Sequence, residues 1–121
     1  MSKPGRSRVI RLAEAQAGIP GPAGERAVMV LQRGTLDVAL GLPLRPSQQT
    51  PHAQDEIYFI IRGRGVLLHD SKRDRFQSGD LLFVAAGTEH QFEDITEDLA
   101  LTALMVARSQ HRAWRRSRMS N

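Results

Sequence analysis

The chemistry in this chain is concentrated in His52, Glu56 and His90. Alternate side chains of an extended segment share a face. Thr50, His52, Gln54, Glu56, Tyr58 and Ile60 therefore have one parity, and His90, Phe92 and Asp94 form a second such set. If both sets point into one interior, two imidazoles and a carboxylate meet there. Two histidines and one carboxylate, with positions left open for water and substrate, suit non-haem Fe(II), Mn(II) or a similar divalent ion. Burying a carboxylate beside two imidazoles without a cation would be costly, and that cost is the physical reason to expect a metal. Taken singly, His52 is more often a turn or surface histidine than a ligand; the case rests on the combination. Thr50, Gln54, Tyr58, Phe92 and Asp94 are the candidate pocket residues, although Tyr58 and Phe92 read most simply as core. No residue stands out as a separate general base.

The elements that would position these groups read as strands. From Ala27 onward, short segments rich in Val, Leu, Ile and Phe alternate with turn residues. The expected strands are Ala27 to Gln32, Thr35 to Leu42, Glu56 to Ile61, Gly65 to His69, Arg73 to Phe76, Asp80 to Ala85, Glu89 to Asp94 and Leu99 to Ala107. Arg33-Gly34 and Gly63-Arg64-Gly65 offer the positive φ of tight hairpins, and Asp70-Ser71-Lys72 is a short polar connection. So many short strands imply a sandwich or a closed barrel. The last segment is ambiguous, because Thr96-Glu97-Asp98 could cap a helix over the following apolar run. A strand is preferred there, on the ground that a barrel needs its last edge closed. Residues 1–26 are punctuated by Gly and Pro and read as an arm, with one helical turn around Leu12 to Ala17.

Composition narrows the function classes. Cysteine is absent, which removes disulfides, thiolate metal sites and cysteine nucleophiles together. No apolar run approaches the ~18 residues needed to span a membrane. The broken start of the chain does not resemble a signal peptide, so a cytoplasmic protein is expected. The net charge of +4 comes from residues 108–121, which hold five arginines and no acid; residues 1–107 carry 12 basic and 13 acidic side chains. That stretch is expected to be a disordered basic tail. With Trp114 as its one aromatic, it is a poor stacking platform for bases, so a nucleic-acid partner is not expected.

Two segments match a known pattern. Residues 51–65, PHAQDEIYFIIRGRG, resemble the first cupin motif, G(X)5HXH(X)3,4E(X)6G: His52 fits the second histidine, Glu56 the glutamate and Gly63 the closing glycine. Residues 79–94, GDLLFVAAGTEHQFED, resemble the second, G(X)5PXG(X)2H(X)3N, with Gly79, Gly87 and His90 in register. The chain departs from the pattern at Leu44, Ala85 and Asp94, which stand for a glycine, a proline and an asparagine. It departs also at Thr50, which stands where the first metal histidine is expected. The resemblance covers about residues 27–107. It implies an all-β, single-domain double-stranded β-helix (jelly-roll) barrel over 27–107, flanked by the arm and the tail. It implies further that the usual three-histidine, one-glutamate set is reduced to His52, Glu56 and His90 around one divalent ion (Fe, Mn, Zn or Ni). A homodimer and a small-molecule ligand or substrate follow from the same resemblance. The superfamily hosts many reactions. The leading expectation is a metal-dependent enzyme, an oxygenase or an isomerase or lyase, acting on a small polar molecule in the barrel mouth. The alternative is a non-catalytic binding or sensing module, with or without metal.

Overall fold

The computed structural model describes residues 6–45, 47–49 and 52–107. Thr50 and the arginine-rich stretch therefore lie outside the described residues. In chain order the elements are α1 (Leu12–Gln16), β1 (Ala27–Arg33), β2 (Leu36–Gly41), β3 (Ser47–Gln49), β4 (Gln54–Arg62), β5 (Arg64–His69), β6 (Lys72–Gln77), β7 (Leu81–Val84), β8 (His90–Glu93) and β9 (Ala100–Ala107).

Period-two alternation sorts the side chains of β4. Glu56, Tyr58 and Ile60 are buried while Phe59, between the last two, is exposed. The same alternation buries His90 and Phe92 on β8. The strands form two antiparallel sheets that face one another across the core. One has the order β1-β2-β9-β4-β7 and the other β3-β8-β5-β6. Between them lies a cluster of Tyr58, Ile60, Leu67, Phe76, Val84, Phe92, Leu99 and Leu101. This is the all-β jelly roll that the motifs implied.

The ambiguous last segment is a strand, but for a different reason from edge closure. β9 is central, pairing with β2 through Leu36↔Val106 to Gly41↔Leu101 and with β4 through Gln54↔Ala107 to Arg62↔Ala100. A strand with a neighbour on each side has both rows of backbone groups paired, which makes this segment an interior strand of the sheet and not a helix. β3 was not expected. It is three residues long and, among the described residues, pairs with β8 alone, Gln49 standing opposite His90.

Gly63 shows why the first motif closes on glycine. Its φ is +88°, and a Cβ there would meet Leu99 Cα and Thr96 Oγ1, both at 2.7 Å. The outer face of the five-stranded sheet is apolar near its β7 edge. Phe59 stands opposite Leu81, and Ile57 opposite Phe83. Phe59, Leu81 and Phe83 are 45%, 61% and 56% exposed.

Candidate functional site

Glu56 is held where a side chain has least freedom, on the central strand β4, with Met105 of β9 and Val84 of β7 as its partners in register. It is 5% exposed. Tyr58 follows two residues later on the same face and is also buried. His90 opens β8 in the facing sheet and is 3% exposed. His52 precedes β4 and is partly exposed. Two hydrogen bonds tie its segment to the turn before β8: the Gly87 amide donates to the His52 carbonyl at 2.8 Å, and the Ala86 amide donates to Asp55 Oδ1 at 2.9 Å. The turn of the second motif thus fixes the loop of the first.

These ties bring the three expected ligands together. His90 Nε2 lies 3.4 Å from Glu56 Oε1, and His52 Nε2 lies 3.9 Å from the same oxygen. The two imidazole centroids are 6.3 Å apart. The Thr88 carbonyl, 3.1 Å from His90 Nδ1, requires a proton on that nitrogen. In the neutral ring this leaves Nε2 as an acceptor, and the Tyr58 hydroxyl donates to it at 2.9 Å. The phenol is steadied by an edge-on contact with Phe92 at 5.0 Å, which in turn meets Phe76 edge-on at 5.8 Å.

Charge is poorly balanced here. Glu56 Oε1 is buried and has no hydrogen-bond partner among the described residues. Burial pulls the His90 pKa down, but Glu56 and the Thr88 carbonyl outweigh it, and the net shift is upward. Burial, reinforced by the Glu56 charge, pushes the Tyr58 phenol far above its ordinary range, so it stays protonated. A buried carboxylate oxygen left without a donor costs roughly 1–3 kcal/mol or more. A cation between Glu56 and the two imidazoles would remove that cost. The donor set is of the right type and His90 has the right tautomer. As placed, however, no three His, Asp or Glu side chains among the described residues form a cluster that could hold an ion. The Tyr58 hydroxyl occupies the lone pair of His90 that a metal would take, so it must yield before the residues fit.

The remaining expected pocket residues divide. Tyr58 and Phe92, with Glu56, line a partly open cavity of about 260 Å³. Gln54 opens β4 and is half-buried, sharing the parity of Glu56. Asp94 is not brought to the site. It lies one residue past the end of β8 with φ +50°, is exposed, and faces the Arg73 guanidinium at 3.4 Å. The parity argument failed at Asp94 because the strand had ended. Arg26 was missed altogether. It lines the same cavity as Glu56, from the position just before β1, and its Nε donates to the Leu42 carbonyl at 2.9 Å. Nothing in its neighbourhood marked it, since it falls at the end of the Gly- and Pro-punctuated arm.

Comparison with known proteins agrees with this architecture. The Cupin domain family matches residues 43–107, more than half of the 121-residue chain. An uncharacterized protein of Streptomyces coelicolor is 41% identical over 51 residues, covering 42% of this chain and 49% of that protein, so the chain matches about half the length of this relative. A cupin 2 conserved barrel domain protein from Salinispora arenicola superposes with a TM-score of 0.65 at 19% identity, covering 84% of this chain and 90% of that one. A cupin-2 domain containing protein from Shewanella frigidimarina gives 0.66 at 14% identity, covering 81% and 94%. At such identities the superpositions speak to fold alone. With the family match over both motifs and the jelly roll that carries them, the chain belongs to the cupin family.

Proposed function

We propose that this cupin binds one divalent metal ion through His52, Glu56 and His90 and is a metal-dependent enzyme, an oxygenase or an isomerase or lyase, acting on a small polar molecule in the barrel mouth. The observation that supports this reading most is Glu56 Oε1, buried without a hydrogen-bond donor among the described residues and flanked by two imidazole nitrogens at 3.4 and 3.9 Å. Fe, Mn, Zn or Ni at that point would supply Lewis acidity and, for the redox-active ions, electron transfer. The chain's own contributions are separate. Thr88 holds His90 in the tautomer that exposes Nε2. Tyr58, protonated and displaced from His90, becomes a hydrogen-bond donor to a ligand in the cavity. Apolar residues including Phe92, Leu101 and Ala103 line the cavity beside it.

Elemental analysis tests the metal: about one ion per chain is expected in the parent protein, and little in a His52→Ala, His90→Ala double variant. Substoichiometric metal in the parent, or equal metal in both, would overturn the three-ligand reading. A second reading, a non-catalytic module for a small ligand, is favoured by the Tyr58 hydrogen bond that satisfies His90 without an ion. Turnover or oxygen uptake across a substrate panel separates the two. We also propose a homodimer formed through Phe59, Leu81 and Phe83, because apolar side chains this exposed on neighbouring strands are unusual on a monomer.

A further inference from the structure

We infer that the cavity beside Glu56 recognises a small carboxylate, with Arg26 as the residue that selects for the negative charge. The inference rests on the metal reading in placing the ligand's other end near His52, Glu56 and His90 and in offsetting the Glu56 charge.

Arg26 is fixed twice to one neighbour. Its Nε donates to the Leu42 carbonyl at 2.9 Å, and its own carbonyl accepts from the Leu42 amide at 2.8 Å. These contacts set the guanidinium at the cavity wall and leave its two terminal nitrogens without a protein partner among the described residues. A guanidinium offers paired donors matched to the two oxygens of a carboxylate. The cavity also contains Glu56, whose charge would repel an anion. Two imidazoles adjoin that charge, and a divalent cation among them would more than offset it, leaving the cavity net positive with Arg26 at its wall. Complementarity then calls for an anionic ligand.

Size and wall chemistry restrict the ligand further. The volume of about 260 Å³ falls below the ~300–1,000 Å³ typical of drug-sized sites. Its space exists because small residues line it at a matched pair of positions on two neighbouring strands, with Tyr58 on the third. Ala39 of β2 pairs with Ala103 of β9, and Ala103 pairs with Tyr58 of β4. A short apolar body lying along Ala39 and Ala103, with its carboxylate on Arg26, suits that shape. A bulky or highly hydroxylated molecule does not.

Calorimetric titration of the metal-loaded full chain with butyrate and with the neutral isostere butyramide is the test, with bound metal measured on the same samples. Butyrate should bind at least tenfold more tightly than butyramide. Arg26→Gln should bring that ratio close to one, Arg26→Lys should restore part of it, and Ala103→Leu should abolish binding of both while the protein stays folded. Equal affinities in the parent protein, no butyrate binding, an unchanged ratio in Arg26→Gln, or undiminished binding in Ala103→Leu would each overturn the assignment. Bound metal without anion preference refutes this inference alone. Anion preference without bound metal refutes only the three-ligand site.

Discussion

Replacing Tyr58 by Phe removes one oxygen and leaves the ring where it packs edge-on against Phe92. The lost hydroxyl is the donor to His90 Nε2, a buried acceptor. Stranding such an acceptor costs roughly 1–3 kcal/mol, so the metal-free variant should lose about that much unfolding free energy. The metal-bound protein should lose less, because an ion held by His90 Nε2 would already have taken the place of the hydroxyl. Closing the cycle converts the difference into affinity. A gain of about 1–2 kcal/mol corresponds to metal bound roughly 5- to 30-fold more tightly in Tyr58→Phe. Urea unfolding after chelation gives the first quantity, and competition against a chromophoric chelator gives the second. An apo-protein that loses stability while its metal affinity stays the same or falls would refute the reasoning, since the hydroxyl and the ion would then not share a lone pair.

Other outcomes follow from particular residues. Gly63→Ala places a Cβ at 2.7 Å from Leu99 Cα in a backbone of φ +88°; it should cost about 2 kcal/mol or more, seen as a lower midpoint in chemical unfolding. A Leu81→Glu, Phe83→Glu double variant, altering two exposed side chains of β7, should halve the mass found by light scattering with little loss of thermal stability. The pH dependence should reverse with metal. Folding raises the His90 pKa, so in the metal-free protein its stabilisation is present below the unfolded value near ~6.5 and is lost as pH rises through the folded value. A metal needs the neutral imidazole, so the increment it adds should grow as pH rises over the same window. Paired melting curves with ion and with chelator, taken from about pH 5.5 to 8, should therefore diverge toward the alkaline end.

Much of the barrel was legible because burial imposes a period of two on its strands, and Glu56, Tyr58 and Ile60 display it without interruption. The convergence of His52, Glu56 and His90 was readable from parity and motif spacing. Other features left no such imprint. β3 is Ser-Gln-Gln, three polar residues with no alternation to detect. Asp94 kept the parity of His90 and Phe92 on paper, but a left-handed backbone just past the strand sends it to Arg73. Arg26 is set by a contact across sixteen positions, to Leu42, which no local pattern encodes. The last segment reads as a strand on an argument about closing an edge, whereas β9 lies inside its sheet, paired with both β2 and β4.

The pair of hydrogen bonds from Gly87 to His52 and from Ala86 to Asp55 bears on how such a site tolerates change. His52 takes its position from a turn more than thirty residues downstream, through the Gly87 amide on its carbonyl. One residue inserted between Val84 and His90 would slide the turn off its partner and shift one imidazole against the other, even with every side chain of the site retained. For anyone transplanting this centre into another barrel, the unit to move is the His52–Glu56 segment together with its turn.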